Sequence, residues 1–267
     1  MIVSLPMYDL PWLHAANDRL WASLAARLRA RGIADVPAAL HRDDDLDTTW
    51  RDPTLLLGQT CGYPLLTRLH ESVRLVATPH YDAQGCEGAF HRAAILVRQD
   101  DAARALPHLQ GRTAGVNGYD SNTGMNLFRA AIAEVTQEPL FFASVVVTGS
   151  HARSFAALLS GKIDVASIDA VTWALLRDRY PEHAARLRVL AWTSASPSLP
   201  FITASRTSDA MISALRDVLK AAADDPALGD TLASLRIRSF SVQPVQAYER
   251  ILQFEQQAVD RSYSELR

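Results

Sequence analysis

A hydroxyl- and amide-rich segment at 117–126 has the composition of an anion-binding loop. It reads Asn-Gly-Tyr-Asp-Ser-Asn-Thr-Gly-Met-Asn and joins a strand-like run to a helix-like run. The first backbone N–H groups of a helix lack intrahelical partners and carry a partial positive charge, so they can hold a phosphate, phosphonate or carboxylate. Ser121, Asn122 and Thr123 would add side-chain donors, and Gly124 would let a ligand approach the backbone. An ordinary N-cap uses the same residue types, so both interpretations stay open here.

A second junction of this kind lies at 147–154, which reads Val-Thr-Gly-Ser-His-Ala-Arg-Ser. Ser150 and His151 would lie where the C-terminal end of a strand opens toward a ligand. The imidazole of His151 could donate a hydrogen bond to an anion. A capped helix with a surface histidine is the alternative.

A third junction at 161–169 leads through a buried strand to an acidic residue, Asp169. Asp169 either caps the following helix or accepts a hydrogen bond from a ligand amine or hydroxyl. Trp173 lies one turn further along and is either a core side chain or a cover for the ligand.

The first third of the chain offers candidates for an opposing wall of a binding site. Tyr8 follows the first strand candidate, and Gly62 with Tyr63 follows the strand candidate at 54–57. Tyrosine hydroxyls are good orienting donors, although tyrosines after strands are also common packing residues.

Composition excludes several classes of function. The 267 residues carry a net charge of −2, which indicates neither a nucleic-acid partner nor a membrane surface. No apolar run is long enough to span a bilayer. The sequence contains no P-loop, dinucleotide fingerprint, nucleophile elbow or zinc-protease motif, so we expect no cofactor. The acidic run at 43–45 with Asp47 lacks the glycine and distal glutamate of a calcium loop, and we interpret it as a solvated loop without a metal.

The N-terminus and the cysteines bear on the cellular compartment. The chain begins Met-Ile-Val-Ser-Leu-Pro, which resembles a core strand and has no basic region of a signal peptide. We therefore expect a cytoplasmic protein, or a periplasmic one whose leader was removed. Cys61 and Cys86 fit no metal site, and they form either a disulfide in an exported protein or two buried thiols.

Strand-like and helix-like runs alternate along the chain, which predicts an α/β fold with mostly parallel sheet. Two turn-rich stretches, at 79–88 and 193–200, are candidate crossovers between lobes. We therefore expect one lobe from 1–84 and 197–267, a second from 85–196, and a ligand cleft between them. Strands are predicted at 2–5, 54–57, 73–78, 93–98, 112–116, 141–147, 163–168, 188–192 and 201–204, and helices at 11–31, 63–69, 125–135, 150–159, 170–179, 209–223 and 245–259.

Taken together, these motifs resemble the phosphonate/phosphite/phosphate family of periplasmic substrate-binding proteins of ABC transporters. The similarity is densest over 91–175. Its elements are the strand ending at 95–100, the turn Leu-Pro-His-Leu-Gln-Gly-Arg at 106–112, the loop Asp-Ser-Asn-Thr-Gly at 120–124, the segment Val-Val-Val-Thr-Gly-Ser-His at 145–151 and the 161–169 junction.

The resemblance implies a two-lobed periplasmic-binding-protein fold of type II, with two hinge crossovers and an ABC permease as partner. It also implies an oxyanion held by the 121–123 loop and His151, with a residue near 62–63 completing the grip. The chain departs from the family at two places: Phe90 stands where a tyrosine is common, and Asn122 replaces a hydroxyl residue.

The leading hypothesis is a non-enzymatic solute-binding protein for a small phosphorus oxyanion. The alternative is a cytoplasmic enzyme or ligand sensor on the same fold, in which Asp169 and His151 would serve as acid and base.

Overall fold

The computed structural model describes residues 1–42 and 45–267, which form two compact units. The chain changes unit at 82–90, at 196–197 and at 247–248. The first unit comprises Met1–Asp82, Glu87–Ala89 and Pro197–Ala247, and the second comprises Ala83–Cys86, Phe90–Ser196 and Tyr248–Arg267.

Strands and helices alternate, as the sequence predicts. The strands are β1 Ile2–Ser4, β2 Leu55–Gln59, β3 Val73–Tyr81, β4 Cys86–Glu87, β5 Phe90–His91, β6 Ala93–Arg98, β7 Thr113–Val116, β8 Ser144–Val147, β9 Val165–Asp169, β10 Leu187–Trp192, β11 Ser196–Pro197, β12 Phe201–Ala204 and β13 Ile237–Ser241.

The α-helices are α1 His14–Ala30, α2 Leu46–Arg51, α3 Gly62–Pro64, α4 Leu127–Ala133, α5 His151–Leu159, α6 Ala170–Arg179, α7 Pro181–Ala184, α8 Asp209–Ala223, α9 Gly229–Ser234 and α10 Arg250–Asp260. Shorter 3₁₀ turns cover Pro6–Tyr8, Pro11–Leu13, Leu106–Leu109, Pro226–Leu228 and Val245–Glu249, and π-helical turns cover Leu65–Leu69 and Asn122–Asn126.

The first helix illustrates how local sequence sets the elements. Leu20, Leu24 and Leu28 recur every fourth residue and are buried, so one face of α1 packs into the core of the first unit. Gly32 follows the helix with φ +78°, a conformation that glycine adopts without a steric penalty.

Each unit is built on its own five-stranded sheet. In the first unit the strand order is β1-β2-β12-β3-β13, and in the second it is β10-β6-β9-β7-β8. In the second sheet β7 pairs in parallel with β8 and β9, while β6 runs antiparallel to β9 and β10. The C-terminal ends of β7, β8 and β9, which lead into helices, therefore lie at the same end of this sheet.

The prediction of an α/β fold is confirmed, but the prediction of mostly parallel sheet is wrong. Antiparallel pairings outnumber parallel ones in the two five-stranded sheets of the described chain. Alternation implies parallel strands only where a helix connects neighbours within one sheet. In the second sheet the neighbours β6 and β9 are not consecutive along the chain, and they pair antiparallel.

The C-terminal segment Tyr248–Arg267 belongs to the second unit, whereas the sequence placed 197–267 entirely with the first. The main-chain N–H of Phe141 donates to the Arg267 carbonyl at 2.7 Å, and the Arg129 guanidinium donates to the Ser264 carbonyl at 2.8 Å. The amphipathic pattern of α10 predicted a helix but carried no information about which core its apolar face would cover.

Of the two alternatives for the cysteines, the structure shows two thiols. Cys61 and Cys86 are half-buried thiols and form no disulfide, and they belong to different units. Cys61 precedes α3, and Cys86 opens β4.

The acidic run falls partly outside the described residues, because 43 and 44 are among those not described. Asp45 is exposed and caps α2, accepting a hydrogen bond from the Thr48 N–H at 3.1 Å. Within residues 1–42 and 45–267, no cluster of metal-ligating side chains occurs, and no helix is long and apolar enough to cross a membrane.

Candidate functional site

The loop after β7, residues 117–126, folds into a buried helix start. Ser121 is extended, with φ −84° and ψ 130°, and its Oγ accepts a hydrogen bond from the Gly124 N–H at 3.0 Å. The Asn126 N–H reaches back five residues to the Ser121 carbonyl at 3.0 Å, which makes the first turn a π turn. Such turns are frequent at functional sites. Because the Ser121 Oγ accepts from Gly124, its own O–H remains available to donate to a ligand.

The absence of a side chain at Gly124 lets the Asn117 and His151 side chains lie close to the backbone of this loop. A Cβ atom at Gly124 would overlap Oδ1 of Asn117 and lie 3.1 Å from Cε1 of His151. The loop therefore brings the Asn117 amide and the His151 ring together across the glycine.

Thr123 and His151 form a direct contact between the first two sequence motifs. Thr123 Oγ1 lies 3.1 Å from His151 Nε2, and Ser167 Oγ donates to the Thr123 carbonyl at 2.6 Å. If Nε2 carries the proton and donates to Thr123, the Thr123 O–H is free for a ligand oxygen.

His151 begins α5, which Ser150 caps by accepting from the Arg153 N–H at 3.1 Å. The residue as a whole is half-buried, but its Nδ1 atom is buried. Burial lowers the pKa of His151, and the nearby charge of Asp169 only partly opposes this effect. The folded chain therefore favours a neutral imidazole.

Asp169 makes a buried side-chain contact with His91, a residue that the sequence did not single out. Asp169 Oδ2 lies 2.9 Å from His91 Nδ1, and the two side chains are 2% and 1% exposed. Asp169 Oδ1 caps α6 by accepting from the Val171 and Thr172 N–H groups, each at 2.9 Å. Burial raises the pKa of Asp169, but the hydrogen bond and charge of His91, with smaller contributions from His151 and Thr172, leave the pKa below its usual value.

Of the two roles expected for Asp169, these contacts show the helix cap, and contact between Asp169 and a ligand stays a prediction. Both carboxylate oxygens face protein groups, and the charge of Asp169 fixes the orientation of the His91 ring. The other ring nitrogen of His91, Nε2, points away from Asp169 and is the one that could contact another group.

Three buried polar atoms of the second unit make no hydrogen bond within the described residues: Nε2 of His91, Oδ1 of Asn117 and Nε1 of Trp173. His91 and Trp173 are only 1% and 5% exposed. Trp173 packs on Phe155 of α5, with ring centroids 6.2 Å apart. Native proteins rarely leave buried polar atoms without partners, because each costs about 1–3 kcal/mol. A polar ligand that bound at these atoms would supply the missing hydrogen bonds.

The Asn122 side chain is directed elsewhere. Its amide donates to Ser196 Oγ at 2.8 Å, and its Oδ1 accepts from the Asn126 amide at 3.2 Å. Asn122 is 1% exposed. Its side chain is thus committed to protein partners on the buried side of the helix.

The remaining candidates, Tyr8, Gly62 and Tyr63, lie in the first unit. Strands β1 and β2 are parallel neighbours, so the residues that follow them share one edge of the first sheet. Tyr8 is buried and packs edge-on against Tyr81, with ring centroids 5.2 Å apart. Contact between these residues and a ligand stays a prediction.

Sequence reasoning missed His91 and Asn117, although it identified the motifs beside them. Asn117 was available as the first residue of the loop after β7. His91 comes close to Asp169 because β6 and β9 are antiparallel, with Ala93 opposite Asp169. That register is a long-range property, so no local signal could have found this pair.

The α/β fold is that of the two-lobed periplasmic binding proteins. A family model described as the periplasmic substrate-binding protein of ABC phosphonate transporters matches residues 55–248. The chain belongs to this family, which is one of substrate-binding proteins that work with ABC permeases. No curated protein matches the chain.

Solved structures confirm the fold at low sequence identity. The binding component of an ABC phosphonate transporter from Pseudomonas aeruginosa has TM-score 0.77 and 17% identity, over 97% of this chain and 87% of that one. PhnD1 from Prochlorococcus marinus, in complex with methylphosphonate, has TM-score 0.74 and 14% identity, over 98% of each chain. XAC2383 from Xanthomonas citri, bound to chloride, has TM-score 0.74 and 18% identity, over 98% of each chain, and that protein is also known bound to ATP.

Proposed function

We propose that this solute-binding protein captures a small phosphorus oxyanion, a phosphonate, phosphite or phosphate, at the loop after β7. The observation that carries the proposal is the buried helix start at Ser121, beside which the buried Oδ1 of Asn117 at Gly124 makes no hydrogen bond within the described residues. An oxyanion there would receive the first N–H groups of the helix and the partial positive charge of its N-terminus.

In this arrangement Ser121 and Thr123 donate their hydroxyl protons to ligand oxygens, and Gly124 leaves the backbone accessible. His151 orients Thr123 through the 3.1 Å contact, and Ser150 is a more exposed, secondary donor. Hydrogen bonds to a charged acceptor are stronger than neutral ones, so a few donors in a dry site suffice for recognition.

His91 is the residue best placed to extend the site beyond the loop. The Asp169 carboxylate holds its Nδ1 side, so Nε2 is presented in a fixed orientation. A hydrogen on Nε2 would let His91 donate to a ligand oxygen.

The direct test is calorimetric titration with methylphosphonate, phosphite and inorganic phosphate, with chloride, sulfate and ATP as comparison ligands. We expect at least one phosphorus oxyanion to bind more tightly than chloride and sulfate. No binding by methylphosphonate, phosphite or phosphate would exclude the proposed ligand class, and preferential binding of ATP would replace it by a nucleotide.

A matched pair of cap variants localises the site. Ser208 caps α8 in the first unit and accepts from the Met211 N–H at 3.2 Å, the same geometry as Ser121 in the second. Ser121→Ala should weaken binding of the oxyanion, whereas Ser208→Ala should remove a cap of the same type and leave affinity unchanged.

We further propose that the loaded protein delivers its ligand to an ABC permease, from the periplasm. Stimulation of the permease ATPase by the protein with its oxyanion, and not by the protein alone, is the expected result. Equal stimulation with and without ligand would contradict delivery.

A further inference from the structure

A series of buried, hydrogen-bonded polar side chains connects the loop after β7, residues 117–126 (the anion loop), to the C-terminal segment. Asn126 donates to Asn122 Oδ1 at 3.2 Å and to the Ile251 carbonyl at 2.9 Å. The Arg129 guanidinium donates to Asn126 Oδ1 and to the Ser264 carbonyl, each at 2.8 Å. We call Asn122, Asn126 and Arg129 the loop-anchor residues.

The loop-anchor residues occupy one stripe of the helix that starts at the loop. Their spacing of four and then three residues places them on the same helical face, and they are 1%, 0% and 5% exposed. An arginine is almost never this buried unless it is paired. Here Glu255 of α10 lies 3.5 Å from the Arg129 guanidinium and supplies the opposite charge.

This chain of bonds connects three regions that are remote in sequence. At one end the Asn122 amide donates to Ser196, the last residue of the second unit before the chain crosses to the first. At the other end Arg129 holds the carbonyl of Ser264, near the C-terminus. Hydrogen bonds to carbonyl groups of the segment Tyr248–Arg267 therefore hold the helix that begins at the anion loop.

We propose that Asn126 and Arg129 are positioning residues for anion binding. They hold the π turn at 122–126 in the shape that presents Ser121 and Thr123 to the ligand, with the C-terminal segment as their fixed support. The same bonds assign Asn122 to this support and not to the ligand. This inference rests on the proposed function, because it concerns the same loop.

The physical reason is that the loop's donors act through their geometry. A π turn is a rare conformation, and its Ser121–Asn126 bond persists only when surrounding contacts stabilise it. A displacement of about 1 Å in a positioning element can cost about a hundredfold in chemistry that depends on alignment. Loosening Asn126 would let the turn relax toward an ordinary α-helix and move the Ser121 hydroxyl.

The test uses Arg129→Lys and Asn126→Ala in the full chain, with methylphosphonate as the probe. Lysine keeps the positive charge near Glu255 but cannot bond Asn126 Oδ1 and the Ser264 carbonyl together in the planar fork of arginine. Arg216→Lys is the matched control, because Arg216 bonds the Val76 and Leu75 carbonyls at 2.9 and 3.2 Å in the first unit. Dissociation constants are measured at a temperature where thermal melts show each ligand-free variant fully folded.

We expect Arg129→Lys to weaken binding about tenfold and Arg216→Lys to leave affinity unchanged, even if both lower the melting temperature. We also expect the losses from Arg129→Lys and Ser121→Ala to be non-additive, because both act on the same loop. Asn126→Ala should have the larger effect, and Arg129→Lys keeps the test decisive if Asn126→Ala does not fold.

Three results would overturn the inference. They are wild-type affinity in Arg129→Lys, an equal loss in the Arg216→Lys control, and strict additivity with Ser121→Ala. A wild-type chain that binds no phosphorus oxyanion fails the proposed function itself, whereas a wild-type chain that binds and an Arg129→Lys variant that binds equally well overturns this inference alone.

Discussion

Two helix starts in the second unit use the same capping chemistry and differ in what surrounds them. Ser121 accepts from the Gly124 N–H at 3.0 Å, and Ser150 accepts from the Arg153 N–H at 3.1 Å. Ser121 is 6% exposed, whereas Ser150 is only half-buried and Arg153 is exposed.

The difference follows from the order of strands. The Ser121 loop leaves β7, which lies between β9 and β8, and the Ser150 turn leaves β8 at the edge of the sheet. An interior strand has neighbouring strands on both sides, so the loop at its end is covered by the loops that follow those neighbouring strands. A Ser cap therefore becomes a candidate anion site through its place in the sheet, since the cap itself is the same at Ser121 and Ser150.

The largest effect on stability is expected from replacing a third helix cap, Asp169. Asp169 ends β9, also an interior strand, and combines the cap of α6 with the buried His91 pair. We expect Asp169→Ala to lower the free energy of unfolding by about 3–5 kcal/mol, because it removes the cap and leaves the buried His91 ring without the carboxylate that faces its Nδ1. Urea unfolding measures this change.

Asp225 supplies the control for that prediction. It also caps a turn, at the Ala227 N–H, and pairs with Arg27 at 2.6 Å, but it is partly exposed. Asp225→Ala should therefore have a much smaller effect, and equal effects of the two variants would show that burial in the sheet interior is unimportant.

The next largest effect is expected at Gly124, where the two helix starts meet. An added Cβ must displace the Asn117 amide and crowd the His151 ring. We expect Gly124→Ala to abolish measurable anion binding and to cost about 1–3 kcal/mol of stability through overpacking. Gly229→Ala is the control, since a Cβ there meets nothing within 4 Å, and it should bind as the wild type does.

The two serine caps themselves give the sharpest comparison. Each Ser→Ala change should cost about 1 kcal/mol of stability for the lost cap. Ser121→Ala should in addition weaken oxyanion binding about tenfold, because it removes a donor to a charged acceptor. Ser150→Ala should weaken binding much less. Equal affinity losses in calorimetry would mean that burial does not distinguish the two helix starts.

The smallest effect concerns the pH dependence of stability through His151. Burial holds the pKa of His151 below its ordinary value of 6.5, despite the charge of Asp169 and with a small contribution from His91 in the same direction. Below about pH 6.5 the unfolded chain therefore takes up a proton that the folded chain resists, and stability falls as the pH drops. His151→Gln should flatten this slope between pH 7 and 5 in denaturant titrations. An unchanged slope would mean that His151 is not the group responsible.

Much of the fold was predictable because its signals are local. The helix at 11–31, the strand at 93–98 and the helix starts at Ser121, Ser150 and Asp169 all depend on residues a few positions apart. The sequence could not predict the antiparallel register of β6 on β9, and so it missed His91. It also assigned the C-terminal helix to the wrong unit, because an amphipathic stripe predicts burial without specifying the surface that buries it.

The sequence by itself determined the caps, the turns and the family motifs, since backbone hydrogen bonds at a helix start are satisfied by side chains within three or four residues. Only the tertiary structure decided which cap is buried, that Asp169 contacts His91, and that the Asn122 amide donates to Ser196. Those outcomes depend on strand order and on packing between segments remote in sequence, which fix burial and electrostatics and which local residue patterns do not encode.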